Sequence, residues 1–271
     1  VKKRKSSIPA EIVKSRKMIY KLAKNDFRTK YAGSYLGIVW AFIQPVITVL
    51  VYWFVFEVGF RGGSDSLPVP FVLYLVAGII PWFFFQDGLT GGTNSLLEYS
   101  YLVKKVVFNI SVLPVVKILS AVFVHVFFIF FITVLYCCYG HFPDLYYLQL
   151  LYYLAGLLLL ILGISYLTSA VVVFFRDLSQ MISIALQIGI WLTPIMWVAE
   201  DKLIHYPVVY KILKLNPVYY IVTGYRDVFI YKNWFWERPL WTAYFWCFVL
   251  GMLWLGTSVF KKLRVHFADV I

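Results

Sequence analysis

The sequence, 271 residues long, predicts an all-α polytopic membrane protein with six transmembrane helices. Six apolar runs, roughly 35–60, 69–86, 112–139, 145–175, 181–199 and 239–260, approach or exceed the length of about 20 residues at which a helix crosses the hydrocarbon core. Charged residues make up only 14% of the chain against 62% hydrophobic ones, whereas a soluble domain carries about a quarter. Eleven Lys and Arg precede the first run, and Lys261, Lys262 and Arg264 follow the last. With an even number of spans, the positive-inside rule then predicts both termini in the cytoplasm.

The same composition excludes several classes. A net charge of +12 is carried by residues flanking apolar spans, which fits topology rather than nucleic acid. Cys137, Cys138 and Cys247 lie inside spans, without CxxC or Cys/His metal spacing, so no metal is expected. A cleavable signal peptide has a shorter basic region and core than this N-terminus, and a start at Val1 reads as a trimmed or alternative start.

Residues 9–31 are predicted to form a cytoplasmic interfacial helix. Lys14, Lys17, Lys21, Lys24 and Arg28 recur at intervals of three and four, with Ile12, Ile19, Ala23 and Phe27 on the opposite face. Such a helix lies in the membrane plane, either as an anchor on anionic lipid or as a headgroup contact site in which Arg28, Lys30 and Tyr31 meet a lipid phosphate. The first span opens at the corner Gly33-Ser34-Tyr35-Leu36-Gly37 and contains Trp40 and Pro45; Glu57, at its outer end, can snorkel. Pro81 predicts a kink or an early end in the second.

Gly88, Gly91 and Gly92 are expected to break that helix, and Ser95-Leu96-Leu97-Glu98 then reads as a capping box opening a short amphipathic helix over 95–108. It carries Glu98, Tyr99, Tyr101, Lys104 and Lys105 on the cytoplasmic side, as an ordinary connection or as a docking element. His125, inside the third span, reads as a neutral interhelical hydrogen-bonder. The turn at 140–144 lacks Lys and Arg, as an outside loop should. Arg176 and Asp177 occupy the next cytoplasmic turn, where they neutralise each other or pair with a partner.

Beyond the fifth span, 200–238 contains two semi-apolar pieces around Asn216-Pro217, each too short to cross. They predict a re-entrant helical hairpin on the outer side, beside a cavity that satisfies its backbone. Aromatics reach 20% of the residues. Interfacial belts account for Trp234, Trp236 and Trp241. Trp40, Trp82, Phe83, Trp191 and Trp197 are the candidates for a channel, since flat rings pack on the C–H faces of sugars.

No G-x-x-x-x-G-K-[ST] loop, Ser-His-Asp set or paired intramembrane carboxylates occur, so neither ATP hydrolysis nor acid–base catalysis is expected of this chain. Its longer motifs resemble the ABC-2-type polysaccharide exporter permeases. These are Arg28-Thr29-Lys30-Tyr31-Ala32-Gly33-Ser34-Tyr35-Leu36-Gly37-Ile38-Val39-Trp40, Pro81-Trp82-Phe83-Phe84, Leu102-Val103-Lys104-Lys105-Val106-Val107-Phe108 and Phe174-Phe175-Arg176-Asp177-Leu178. Thr193-Pro194-Ile195, Leu215-Asn216-Pro217, Gly224-Tyr225-Arg226-Asp227 and His266-Phe267-Ala268-Asp269-Val270 complete the pattern. Asn109 departs from it, standing where the family often has Pro.

The resemblance implies that residues 1–271 form one ABC-2-type transmembrane domain of a bacterial cytoplasmic-membrane permease. It implies a homodimer working with two copies of a nucleotide-binding ATPase subunit, which carries the Mg-ATP while this chain carries no cofactor. It further implies export of an undecaprenyl-diphosphate-linked glycopolymer. The N-terminal half resembles the teichoic acid permeases more than those for O-antigen or capsule. Glu98, Tyr99, Tyr101, Lys104, Lys105, Arg176 and Asp177 would then couple to the ATPase, and Arg28, Lys30 and Tyr31 would contact the lipid diphosphate. The alternatives are a permease for a drug or small lipid, and a membrane-embedded transferase acting on lipid-linked sugars.

Overall fold

The computed structural model describes residues 8–59, 67–103, 109–199, 203 and 205–270, and every regular element among them is helical. Five stretches are long and apolar enough to cross a membrane: Gly37–Gly59, Phe71–Glu98, Ile110–Cys138, Leu145–Val172 and Pro239–Leu263. Their main helices are α3 (Trp40–Trp53), α4 (Phe71–Glu98), α6 (Leu113–Cys138), α7 (Gln149–Val172) and α11 (Pro239–Leu263). The run at 181–199 forms a shorter helix, α8 (Leu178–Leu192), of 15 residues. At about 1.5 Å per residue it spans roughly 22 Å, less than the hydrocarbon core. It ends before Thr193-Pro194, because the residue before a proline is pushed out of the helical region, and residues 193–196 continue as a buried non-helical strip.

α4 is the centre of the bundle, packed on α6 and α7, with α11 behind α7. Its apolar residues face neighbours on nearly every side, so it is buried along most of its length. That burial overturns two sequence expectations. Pro81 and the glycines at 88, 91 and 92 all lie inside one uninterrupted 28-residue helix; packed neighbours hold such residues in a transmembrane helix. The predicted capping box does not form either. Ser95 is deep in the last turns of α4, its Oγ donating to the Gly92 carbonyl at 2.8 Å, and Glu98 ends the helix. A separate one-turn helix, α5 (Ser100–Val103), follows; Lys104, Lys105 and the rest of 104–108 lie outside the described residues.

α7 and α11 meet backbone to backbone. A Cβ on Gly256 would stand 2.1 Å from the Gly163 carbonyl oxygen, so only hydrogen fits at that crossing. Small residues at such crossings let apolar helices gain dispersion contact that lipid cannot supply.

The N-terminal segment is two helices, α1 (Ile8–Lys14) and α2 (Arg16–Lys30), broken at Ser15. The predicted amphipathicity is present, but protein covers much of the apolar stripe: Ile19 and Ala23 are buried against Val112 and Val116 at the start of α6. Phe27 meets Phe123 edge to face at 5.8 Å. Lys14, Lys17, Lys21, Lys24 and Arg28 stay exposed. α2, the ends of α4 and α7, and the start of α6 gather at one end of the bundle, the basic end.

The opposite end carries α9 (Pro207–Lys214) and α10 (Pro217–Arg226), joined at Leu215-Asn216 as the sequence predicts. Asn216 caps α10, accepting from the Val218 N–H at 3.0 Å, and its amide donates to Thr193 Oγ1 at 2.9 Å. α10 is buried against α4, α7 and α11, while α9 contributes no buried residue. The chain closes with α12 (Phe267–Val270), whose Phe267 is buried beside Phe260.

Candidate functional site: a groove along the first span

The first span packs loosely. After α2, the chain turns at Gly33 and Gly37, whose φ of 90° and 52° are the left-handed values that glycine adopts without strain. α3 then rises along the bundle with only Ala41 buried. Between it and α4, α6 and α8 lies a groove of about 520 Å³. Trp40, Gln44, Thr48 and Tyr52 line one wall, and Phe83, Phe84, His125 and Phe128 the other. It is aromatic with a few polar groups, the usual composition of an organic ligand pocket.

Lys30 and Tyr31 stand at its basic end, where Lys30 is ion-paired to Asp87 of α4. Burial alone would lower the Lys30 pKa, but the Asp87 carboxylate and its hydrogen bond outweigh that and hold it above the ordinary value. The lysine is therefore a fixed cation. Burial also raises the Tyr31 hydroxyl, so it is a neutral donor there. Arg28 is exposed one turn back, with no ion-pair partner among the described residues.

A second cavity of about 400 Å³ lies below, meeting the groove at Lys30, Asp87, Thr90 and Ala121. Lys117 of α6 crosses it, pairing with Asp26 of α2 at 2.6 Å and with Glu98 of α4. Tyr99 donates its hydroxyl to Asp26 at 2.7 Å. Burial and that hydrogen bond push the Tyr99 pKa up. This network ties three elements together around a lysine that is only 12% exposed.

The predicted coupling residues divide accordingly. Tyr99 faces inward, Glu98 is shared between Lys117 and solvent, and Tyr101 is exposed. Arg176 and Asp177 are exposed in the turn before α8 at the same end and make no ion pair among the described residues.

Of the five aromatic channel candidates, the groove takes Trp40 and Phe83. Trp191 is exposed on α8, with its ring 6.4 Å from Tyr52 at the groove's side. Trp82 is in the core, its ring against Gly189 of α8. Trp197 is half-buried at the hairpin end, donating to the Trp191 carbonyl. His125 makes the expected interhelical bond, with Nε2 2.8 Å from the Tyr225 hydroxyl, and stacks on Phe84 at 4.5 Å.

Asp87, Gln44 and Thr48 were missed by the sequence reading. Their signal was available: one carboxylate in an apolar run, and two polar residues four apart on a hydrophobic helix.

Comparison with known proteins agrees with this architecture. The chain is 26% identical over 253 residues to the O-antigen export system permease protein RfbA of Klebsiella pneumoniae, covering 92% of this chain and 93% of that protein. It is 26% identical over 264 residues to the protein of the same name from Myxococcus xanthus, covering 96% and 98%. The ABC-2 type transporter profile matches residues 18–230, from α2 through the hairpin. An integral membrane permease, the chain belongs to the ABC-2 type transporter family.

Proposed function

We propose that this chain is the membrane subunit of an ATP-driven exporter that moves a glycopolymer on a lipid diphosphate out across the bacterial cytoplasmic membrane, with both termini inside. The observation that carries the reading is the groove beside α3, which begins at a fixed lysine and continues along aromatic and amide-bearing side chains. A lipid diphosphate arriving at the basic end meets Lys30, Tyr31 and the exposed Arg28, while the sugars it carries meet Trp40, Gln44 and Phe83. Arg forks two oxygens of a phosphate and Lys adds a point charge. Rings paired with few polar groups hold successive sugars weakly, which suits a polymer that must slide.

The RfbA proteins that it resembles favour an O-antigen-type polysaccharide. Teichoic acid is the second reading, supported by the wording of the N-terminal motifs, and undecaprenol is the lipid implied. A polymer needs more room than one subunit provides, so two copies pair by two-fold symmetry with the exposed faces of α3 and α8 toward each other. Energy comes from two ATPase subunits carrying Mg-ATP, docked at the basic end on Tyr101, Glu98, Arg176 and Asp177. The test is co-purification with the ATPase subunit, followed by hydrolysis assays with lipid-linked polymer. Stimulation by polymer-bearing lipid, absent with a small amphiphilic drug, is the expected result; the reverse preference overturns it.

A further inference from the structure

The hairpin end holds a third cavity, of about 360 Å³, that shares no lining residue with the groove. It lies between α9–α10 and the ends of α4 and α11, and three cations reach it: Lys214, Arg226 and Arg238. Asp227 forks Arg238 at 2.8 and 3.1 Å, neutralising it. Arg226 is 3% exposed and has no carboxylate partner among the described residues. Its terminal nitrogens donate to the carbonyls of Pro194 and Ile195, both at 2.7 Å, and its guanidinium lies 3.6 Å over the Tyr74 ring. Carbonyl dipoles satisfy its terminal nitrogens without cancelling its charge, and its buried Nε has no hydrogen-bond partner among the described residues.

Lys214 is the other cation without an acid partner among the described residues. Its Nζ stands 4.4 Å over Tyr210 and 5.5 Å over Trp241, which leaves N–H groups to donate. Trp241 is held by its Nε1 donating to the Lys214 carbonyl at 2.9 Å, and Tyr219 meets it edge to face at 5.5 Å. One wall is thus a fixed aromatic surface and the other a positive field with one available donor. In a low-dielectric setting, two cations without acids attract an anion strongly.

We propose that this pocket binds an anionic sugar, specifically a glycosyl phosphate, with Lys214 donating to the phosphoryl oxygens, Arg226 supplying the field and Trp241 facing the pyranose ring. The volume suits one such unit. Resting on the export reading, the inference adds a holding site for charged units of the polymer where it leaves the membrane.

The experiment titrates the intact transporter complex, in phosphatidylcholine nanodiscs, with α-D-glucose 1-phosphate by tryptophan quenching, against glucose and inorganic phosphate. Expected are tighter binding of the glycosyl phosphate than of either control, a loss of about tenfold or more in affinity in Lys214→Gln, which removes one charge-assisted hydrogen bond, and retention in Lys214→Arg. Unchanged affinity in Lys214→Gln overturns the site, as does inorganic phosphate binding as tightly as the sugar phosphate. If phosphatidylglycerol nanodiscs abolish the titration, the pocket holds a lipid headgroup and the glycan assignment falls. Polymer stimulation of ATP hydrolysis by the same preparation reads the export function separately, so either reading can fail alone.

Discussion

Two lysines at the basic end have opposite duties, and their surroundings explain why. Lys117 is nearly enclosed and holds two carboxylates, so it is structural. Replacing it with Met leaves Asp26 buried and unpaired, and breaking a buried pair from one side costs about 3–5 kcal/mol. Thermal unfolding in detergent should show a large drop for Lys117→Met and partial recovery for Asp26→Asn with Lys117→Met; equal midpoints for wild type and Lys117→Met would rule the network out as a stabiliser. Lys30 is 41% exposed and has a single acid partner among the described residues, so it can exchange that partner for a phosphate. Asp87→Asn frees the lysine and should lower the concentration of lipid-linked polymer that half-saturates ATP hydrolysis, whereas Lys30→Gln should raise it. If neither moves the half-saturation point, the groove entrance does not contact the diphosphate.

Among the elements, α2 separates an anchor from a site. Its apolar stripe is partly spent on α6, which leaves the cationic face for lipid or substrate. Total charge matters to an anchor, at about 1 kcal/mol per basic residue beside an anionic surface; geometry matters to a site. Arg28→Lys keeps charge and loses the fork, so reduced export with normal membrane association marks a site. Normal export in Arg28→Lys, with membrane association lost in Lys14→Glu plus Lys17→Glu, marks an anchor. The α7–α11 crossing makes a different demand: Gly256→Leu must drive the helices apart, because the Gly163 carbonyl occupies the space. A lower melting temperature with little soluble aggregate is expected, while a wild-type melt would mean that the crossing relaxes freely. For α9, trypsin added to sealed right-side-out vesicles should leave Lys211 and Lys214 uncut if the hairpin is sunk in the outer leaflet, and ready cleavage at both would show it lying in water.

At the scale of the molecule, α3 and α8 expose apolar faces beside the groove, including Ile47, Leu50, Ile184 and Ile188. Lipid covers such faces as readily as protein does, so exposure alone does not identify a partner. In the proposed pairing, a second copy would close the open side of the groove beside them. Cysteines placed at 47 and 188 in an otherwise cysteine-free chain should cross-link between copies and stop export. Export by a preparation shown to be monomeric would refute the paired channel.

Hydropathy alone determined the class, the basic flanks and five of the six expected spans, because a 20-residue apolar run has no soluble alternative and its period needs no partner to be read. The start of α10 was legible for a related reason: Asn216-Pro217 caps and starts a helix whatever surrounds it. Local rules failed where burial outweighed them. Gly88, Gly91, Gly92 and the Ser95–Glu98 box read as a helix break and a new start, yet α4 runs through them because its neighbours and the absence of water leave its backbone no other partner. Half of the site was legible for the same reason that half was not. Lys30, Tyr31 and Trp40 are near the turn that aims them and Phe83 lies in a legible apolar run, whereas Asp87, Lys117 and Arg226 acquire their meaning from partners 19 to 91 residues away. Only the tertiary structure decides which distant carboxylate or carbonyl faces a charge, because periodicity records the face of a helix and not what is packed against it.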